Sequence, residues 1–412
     1  MPEFRRSFRS CLSLAVLAGL LLARPAQAQT APAPESHRWG VNDDHIVTGP
    51  APDEQGQLPP GDVLLQARQA GLGWARYVLF WFAVNPAQGT YQWDAPDREI
   101  ARLRDAGFNV LVHVAYPPAW TTGARYANQH SAFWCLDEQS PDGVKQGQPG
   151  SDEFFNCRDS ERPPGYRAPG QPPLADRSTD FRTFVDAAVR RYQGQVKAWS
   201  FGMEVHNQVF WRGSIRQLMD EVLRPGYEVV EAVDPGLLVA GPDEDVEASY
   251  DAVMAMEAAD IASGKGRVFD VLAFHAFNHS GWDTPEKMDR KWRNGGWGDC
   301  QFETPGMPPS CSMRGIAEHY AKGRPVWLTE FGYQADSAAD ANAGAWLANW
   351  IDGIKARPWI DKAFFYRLRQ DDGVKDFGLF AAVPPAPGTP APAATAVRSR
   401  LATQALPEFS YL

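Results

Sequence analysis

The chain has few side chains that bind metals and a deficit of positive charge. It contains 8 histidines and 5 cysteines among 412 residues, and no two cysteines have the C-x-x-C spacing typical of zinc sites. Acidic residues outnumber basic ones by 50 to 40, which gives a formal net charge of −10. This balance disfavours nucleic acid and anionic membranes as partners, because both repel an acidic surface. Beyond residue 28, no apolar run is long enough for a transmembrane helix.

The first 28 residues are predicted to be an export signal. Three arginines lie among the first nine residues, residues 11–23 are apolar, and Ala26-Gln27-Ala28 is a small-residue cleavage site. A retained membrane anchor is the alternative, although the apolar run is short for a membrane span. Cleavage would leave a flexible leader at 29–36 and a periplasmic or secreted protein.

Four cysteines follow the predicted signal: Cys135, Cys157, Cys300 and Cys311. An even number in an exported chain favours two disulfide bonds, for which three connectivities are possible. Pairing Cys135 with Cys157 and Cys300 with Cys311 closes the shortest loops, and we favour it. Four free, buried thiols are the alternative.

Short β-branched or aromatic runs alternate with amphipathic segments along the rest of the chain. This alternation predicts an α/β fold for residues 37–412, a (β/α)8 TIM barrel in which each of eight parallel strands is followed by a helix. The predicted strands lie near 39–42, 75–79, 110–114, 196–202, 237–241, 268–274, 326–329 and 363–366. The predicted helices lie at 61–70, 95–106, 179–193, 214–233, 247–263, 313–322, 338–356 and 393–405.

Two long loops interrupt this alternation, 117–177 after the third predicted strand and 278–312 after the sixth. Each contains two of the four cysteines, so a disulfide bond would hold it in a defined shape. Both loops leave the carboxyl ends of strands, the face where barrel enzymes carry their sites. Trp282 and the other aromatic residues of these loops either stack on sugar rings or form a small core for the loop, and both interpretations stay open.

Two glutamates follow runs of strand character. Glu330 ends the run that begins at Pro325 and is followed by Gly332, and Glu204 ends the run 196–203. After strands four and seven they would face each other across the barrel mouth, and two carboxylates are the minimum apparatus for glycoside hydrolysis. A lone glutamate is more often a surface residue, but both of these lie where a barrel site needs them.

Arg76 on the second predicted strand and His275 at the end of the sixth are candidate neighbours of the glutamates. One carboxyl group must be protonated near neutral pH, which requires burial or a nearby negative charge. The other must stay ionised, which requires cationic or hydrogen-bonding neighbours. The alternatives are an interior ion pair for Arg76 and a satisfied core position for His275.

Five segments carry motifs in a fixed order. They are 76–94, 112–120, 196–204, 270–275 and 325–332. Together they resemble the second, third, fourth, sixth and seventh strands of clan A glycoside hydrolases, and the chain is most similar to family 39 and related cellulase-like families. The order of the motifs carries the resemblance, since none of them is specific by itself.

This resemblance implies a retaining enzyme with Glu204 as acid/base and Glu330 as nucleophile, their carboxyl groups about 5 to 5.5 Å apart. Arg76 and His275 would shape the pocket around Glu330. The other residues expected to contact the carbohydrate substrate are His113, Tyr116, Trp120, Met203, His206, Trp282, Tyr333 and Tyr366. No metal and no cofactor is expected.

The chain also departs from the family pattern. Met203 stands where the family has an asparagine that donates a hydrogen bond to the sugar 2-hydroxyl, and methionine cannot donate. Phe277 stands where a tyrosine is common, and Asn85 stands where a glutamate precedes proline. His206 or Asn207 is a candidate replacement for the missing donor. A substrate without an equatorial 2-hydroxyl, or low activity, is the alternative.

Three hypotheses follow. The first is an exported, retaining glycoside hydrolase that cleaves a polysaccharide or oligosaccharide. The second is a sugar-binding barrel with weak or no catalytic activity, which Met203 and Phe277 favour. The third, a metal-dependent barrel hydrolase, has the least support because the chain has so few histidines.

Overall fold

The structure is a computed structural model that describes most of the chain between residues 37 and 401. The described residues are 37–43, 63–122, 134–136, 144–146, 178–206, 210–211, 213–278, 281–289, 291–293, 296–298, 312–335, 340–370, 377–381 and 392–401. The predicted export signal and leader lie outside them, as do Cys157, Cys300 and Cys311, and only the backbone of Cys135 is described. Export and disulfide pairing therefore stay predictions.

Eight parallel strands form a closed barrel, with each strand bonded to its neighbours in chain order and the last closing onto the first. The predicted (β/α)8 barrel is confirmed at this level, and each predicted strand overlaps an observed one. The strands are β1 Trp39–Asp43, β2 Trp74–Phe80, β3 Asn109–Ala115, β4 Val196–Phe201, β5 Leu238–Glu244, β6 Val271–Phe277, β7 Val326–Gly332 and β8 Lys362–Phe365.

A helix follows each strand. The helices are α1 Val63–Gln69, α2 Asp94–Asp105, α3 Ser178–Arg191, α4 from Ile215–Leu218 through the π-helical Met219–Leu223 to Arg224–Val233, α5 Glu247–Ala262, α6 Met313–Ala321, α7 Ala341–Lys355 and α8 Pro392–Leu401. Side chains of Ser214, Ser312 and Asp340 accept backbone hydrogen bonds at the starts of α4, α6 and α7. Such caps satisfy amide groups that have no partner within the helix, so the sequence itself marks these boundaries.

Shorter elements lie between these strands and helices. In the part of the chain that the structure describes, three of them are short helical segments, Trp81–Val84, Ala119–Thr122 and Pro285–Asp289. Three more, in the same part, are strand pairs: Trp134–Leu136 with Val144–Gln146, Lys291–Arg293 with Gly296–Gly298, and Arg369–Gln370 with Phe380–Ala381. No helix among the described residues combines the length and apolarity that a membrane span requires.

Large apolar side chains close the amino-terminal end of the barrel. Trp74 and Trp327 pack with their ring centroids 5.4 Å apart, and Phe364 lies against both rings. The ammonium group of Lys362 lies 4.9 Å from the centre of the Trp74 ring. A second, larger apolar layer fills the space between strands and helices. The carboxyl ends of the strands are thereby left as the end that carries polar side chains.

Two strands lose their regular register where these polar side chains begin. The pairing of β7 with β6 shifts between Leu328 and Glu330, and the pairing of β5 with β6 shifts between Pro242 and Glu244. Asp243, at the second shift, has a left-handed φ of 58°. Bulges of this kind re-aim side chains, here toward the barrel mouth.

Candidate active site

A buried arginine holds Glu330 at the open end of β7. Arg76 donates from Nη1 to Glu330 Oε1 and, at 2.9 Å, to Asn42 Oδ1. Arg76 is 1% exposed and Glu330 is 5% exposed. Asn42 donates in turn to the backbone carbonyl of Thr329, at 2.9 Å. A guanidinium that donates directly to a carboxylate favours the charged form of that carboxylate. The contact with Arg76 therefore favours the anion of Glu330.

The backbone behind Glu330 leaves no room for a side chain two residues later. A Cβ at Gly332 would collide with the carbonyl oxygen of Tyr366. The glycine that follows the glutamate in sequence is therefore required by the close approach of β7 to the end of β8.

Glu204, after β4, lies in a contrasting, acid-rich environment. His275 Nδ1 is 2.9 Å from its Oε1, and 13% of the side chain is exposed. Burial raises the pKa of Glu204 well above its usual range, Asp245 raises it further, and His206 opposes the rise. A glutamate with a raised pKa keeps its proton near neutral pH, which suits a general acid.

His275 lies between the two glutamates, which face each other across the barrel mouth. Its Nε2 is 3.8 Å from Glu330 Oε1, while Nδ1 faces Glu204. An oxygen of Glu204 and an oxygen of Glu330 lie within 4.8 Å of each other. The structure thus brings together three residues that the sequence analysis assigned to one site.

The same three side chains, among the described residues, could hold a metal ion, because their donor atoms all lie within 4.8 Å of one another. Arg76 already donates to Glu330 Oε1. Its fixed positive charge at this carboxylate opposes a second cation. The donor set therefore fits carboxylate chemistry better than metal binding.

Sequence reasoning missed an acidic run at the end of β5. Asp243, Glu244 and Asp245 are all buried, with at most 9% exposed. Asp243 accepts a hydrogen bond from Thr329 Oγ1 at 2.5 Å and lies 3.4 Å from Arg76 Nη2. Three consecutive acids that follow a predicted strand after one proline could have indicated the site, since buried carboxylates need partners.

His206 is engaged by two of these acids. Its Nδ1 is 3.1 Å from Glu244 Oε2, and its Nε2 is 3.2 Å from Asp245 Oδ1. Burial works against its charge, but the two carboxylates raise the pKa of His206 above the usual range. Glu244 also accepts from the backbone N–H of Val205 at 2.6 Å. His206 therefore lies against the acidic run beside Glu204. That His206 or Asn207 replaces the missing donor stays a prediction, and Asn207 lies outside the described residues.

An apolar cavity of about 60 Å³ opens beside Met203. Met203 Sδ lies 3.9 Å from Arg76 Nη2, so the thioether borders the arginine that holds Glu330. Tyr116 stacks between Phe80 and Phe210, with centroid distances of 5.9 and 6.2 Å. The cavity is also lined by Trp81, His113, Val114, Ala115, Pro117, Phe181, Gly202, Trp211, Leu218 and Val222. The predicted Met203 and Tyr116 thus line one cavity, which Met203 connects to Arg76.

His113 lies deeper in the barrel and at the wall of this cavity. It is 1% exposed, and its Nδ1 is 2.8 Å from Ser200 Oγ. Burial, and then the charges of Arg76 and His275, hold the pKa of His113 well below its usual range. The imidazole is therefore neutral at physiological pH.

The remaining predicted aromatic residues occupy different places. Trp120 donates from Nε1 to the carbonyl oxygen of Asn85 at 2.9 Å. Tyr333 packs against Trp346 with a centroid distance of 6.1 Å. Both are only half-buried, so each leaves part of its surface open at the rim of the barrel.

Tyr366 and Trp282 differ in their access to a ligand. Tyr366 is half-buried and packs edge-on against Phe277 at 5.4 Å. Trp282 is 2% exposed and belongs to the main apolar core. Its ring offers no open face for a sugar, so the sequence expectation that it binds substrate is corrected in favour of packing.

No protein-family model matches the chain, and no curated protein matches its sequence. Solved structures do match it in fold. A family 39 glycoside hydrolase from Bacteroides cellulosilyticus WH2 superposes with a TM-score of 0.56 and 17% identity over 90% of this chain and 64% of that one. The chain thus spans less than two thirds of that protein.

Two further solved structures are similar in fold at low sequence identity. A monomeric β-xylosidase from Caulobacter crescentus CB15 gives a TM-score of 0.56 at 14% identity, covering 90% of this chain and 68% of that one. Xylanase 10B from Thermotoga maritima gives 0.51 at 12% identity, covering 89% and 95%. The resemblance to clan A glycoside hydrolases, which was predicted from sequence motifs, is therefore confirmed at the level of the fold.

Proposed function

We propose that this protein is an exported, retaining glycoside hydrolase that cleaves a polysaccharide or oligosaccharide. The observation that carries the proposal is the pair Glu204 and Glu330, whose oxygens approach within 4.8 Å at the mouth of the barrel. Retaining enzymes place their two carboxyl groups about 5 to 5.5 Å apart, whereas inverting enzymes need about 6.5 to 9.5 Å to admit a water.

The environments of the two glutamates support different roles. Arg76 holds Glu330, which favours a charged nucleophile. Burial and nearby acids raise the pKa of Glu204, which favours a proton donor. A pair of titratable groups whose surroundings push their pKa values apart is the usual sign of an acid/base assignment.

In the first step, a carboxylate oxygen of Glu330 bonds to the anomeric carbon as the bond from that carbon to the leaving oxygen breaks. Glu204 gives its proton to the leaving oxygen and becomes a carboxylate. In the second step, Glu204 takes a proton from water, and the water oxygen bonds to the anomeric carbon. The ester bond to Glu330 breaks, which returns both glutamates to their starting states and retains the anomeric configuration.

The surroundings of Met203 bear on the substrate. Its thioether faces Arg76 beside the glutamates and offers no hydrogen-bond donor. The adjoining cavity is mostly apolar and of about 60 Å³, room for a small substituent on a sugar ring. A sugar whose ring lacks a hydroxyl at this point fits the site better than one that needs a donor there.

The test is turnover of a panel of aryl glycosides and polysaccharides by the wild type, Glu330→Gln and Glu204→Gln. Glu257→Gln is a matched control, because Glu257 is also buried but pairs with Arg324 far from the barrel mouth. We expect Glu330→Gln to lose at least about 1,000-fold in kcat, while Glu257→Gln keeps its kcat. Turnover that survives both Glu330→Gln and Glu204→Gln would contradict the proposal.

A sugar-binding barrel with little or no catalytic activity is the second candidate. Met203 and Phe277 favour it, because neither side chain supplies a polar contact to the sugar. Calorimetric binding of oligosaccharides by the wild type, without release of reducing ends, would support this candidate over the hydrolase.

A further inference from the structure

Asp243 contacts the machinery of both glutamates at once. Its side chain is fully buried, accepts from Thr329 Oγ1 at 2.5 Å and lies 3.4 Å from Arg76 Nη2. Thr329 is the residue before Glu330, and the other nitrogen of Arg76, Nη1, donates to Glu330 itself. One guanidinium is therefore shared between the Glu330 and Asp243 carboxylates.

The backbone of Asp243 reaches the other glutamate. Its carbonyl oxygen accepts from the N–H of Glu204 at 2.9 Å. Both residues have left-handed backbones, with φ of 58° for Asp243 and 41° for Glu204. Non-glycine residues adopt such angles only where their surroundings enforce them, so the two turns hold each other in place.

Charged, titratable and hydrogen-bonding groups act on the Asp243 carboxylate from four other strands and from α5. They are Arg76 of β2, His113 of β3 at 3.7 Å, His275 of β6 at 3.9 Å, Thr329 of β7, and Tyr250 of α5, whose buried phenol interacts electrostatically with Asp243. Arg76 is the permanent cation among them. A buried carboxylate without exposure to water depends on such partners for its charge.

We propose that Asp243 is a positioning residue for the proposed hydrolase: its charge limits how far Arg76 neutralises Glu330, while its backbone fixes the turn that carries Glu204. The inference rests on the proposed function. Without the Asp243 charge, Arg76 acts on Glu330 alone. Glu330 then ionises more easily and attacks less readily.

The variant that tests this is Asp243→Asn, which removes the charge and keeps the shape. Asp270→Asn is the matched control, because Asp270 is a buried aspartate of the next barrel unit that pairs with Arg267 and accepts from Val239 N–H, apart from the glutamates. Thr329→Val removes the hydrogen bond to Asp243 and leaves its charge. Asp243→Ser is a second neutral variant if Asp243→Asn does not fold.

For Asp243→Asn we expect kcat to fall about 10- to 100-fold with KM nearly unchanged. The acid limb of the pH–kcat profile should move to lower pH by about one unit, since the loss of a neighbouring negative charge eases ionisation. Thr329→Val and Asp270→Asn should leave the limb in place. An unchanged limb in Asp243→Asn, or an equal shift in Thr329→Val, would overturn the proposal.

A second measurement needs no substrate. Protein labelled with 13C at the glutamate carboxyl carbon reports the pH at which Glu330 ionises, and the resonance is identified by its loss in Glu330→Gln. We expect its midpoint to fall by about one pH unit in Asp243→Asn. Absence of turnover in the wild type would contradict the proposed hydrolase. An unchanged ionisation midpoint of Glu330 in Asp243→Asn would contradict the proposed role of Asp243. Failure of both neutral variants to fold would assign Asp243 a purely structural role.

Discussion

The two sides of the barrel mouth are built on opposite electrostatic principles. On the β7 side, Glu330 has a guanidinium partner in Arg76, and Asn42 links that arginine to the backbone of Thr329. On the β4 side, Glu204 lies near Asp245 and Glu244, and burial raises its pKa well above the usual range. The central residue is a glutamate on both sides, and only its surroundings differ.

The difference shows that the neighbours of a carboxyl group, rather than its identity, decide its chemistry. A permanent cation stabilises the anion of Glu330, whereas burial beside two acids stabilises the proton on Glu204. Substitutions that make the two environments alike should therefore abolish the proposed division into a nucleophile and a proton donor.

The largest expected effect is that kcat of the two glutamate variants depends differently on the leaving group of the substrate. Glu204→Gln should lose about 100-fold or more in kcat on glycosides with poor leaving groups, because these need a proton. On aryl glycosides with acidic phenols its first step should remain fast, whereas Glu330→Gln should be slow on both. Steady-state and burst kinetics with a series of substituted phenyl glycosides measure this. Equal losses across the series for both variants would contradict the assigned roles.

The same two substitutions should change stability in opposite directions. Glu330→Gln removes one of the two anionic partners of Arg76 and leaves only Asp243. It should therefore lower the free energy of unfolding by about 1–3 kcal/mol. Glu204 has a raised folded-state pKa, so the stability it contributes is lost as pH rises from its ordinary value of about 4.3 through the raised one.

Glutamine at position 204 cannot ionise, so Glu204→Gln avoids the stability that the wild type loses when Glu204 ionises. Relative to the wild type, its free energy of unfolding should be about 1 kcal/mol higher above the pH window in which Glu204 ionises, and little changed below that window. Urea unfolding at several pH values measures both effects, with Glu257→Gln as the control for a buried glutamate elsewhere. A stability gain of Glu204→Gln that is the same at low and high pH would contradict the raised pKa.

Substitutions of the residues around Glu204 should cause smaller shifts in the pH dependence of kcat. Asp245 raises its pKa and His206 lowers it. Since the donor must be protonated, Asp245→Asn should move the basic limb of the pH–kcat profile down, and His206→Asn should move it up, each by about half a pH unit. Movement of both variants in the same direction would show that packing, and not charge, sets this limb.

Chelation should have the smallest effect. Because Arg76 occupies the Glu330 carboxylate, we expect dialysis against EDTA to leave kcat unchanged within error. Added zinc should at most inhibit, since a cation that bridges Glu204 and Glu330 would block both. A loss of activity in EDTA that zinc restores would favour the metal-dependent hydrolase.

Local patterns were enough to predict the barrel and to place several polar residues at its mouth. Strand-like runs and helix caps such as Ser312 and Asp340 act over a few residues, so they can be read in order along the chain. Glu204, Glu330, Arg76 and His275 were identified because each ends or lies on such a run. The structure connects these four residues, because Arg76 pairs with Glu330 and His275 lies between the two glutamates.

The residues whose surroundings could not be predicted from the sequence have a common feature. Asp243 was overlooked because its role depends on a register shift in β5 and on partners from four other strands. Trp282 was expected at the substrate, but the tertiary fold buries it. The carboxylates that face both ring nitrogens of His206, one of the two candidate donors to the sugar, were also overlooked. Each of these outcomes depends on residues distant in sequence.

The sequence by itself determined the alternation of strands and helices, and with it the end of the barrel at which Glu204 and Glu330 lie. Periodicity and capping are local properties, and a closed parallel barrel gathers the carboxyl ends of its strands at one face. Only the tertiary structure decided that Arg76 pairs with Glu330, that acids surround Glu204, and that Asp243 joins the two. These are electrostatic relations across the barrel, and they exist only once distant strands are adjacent.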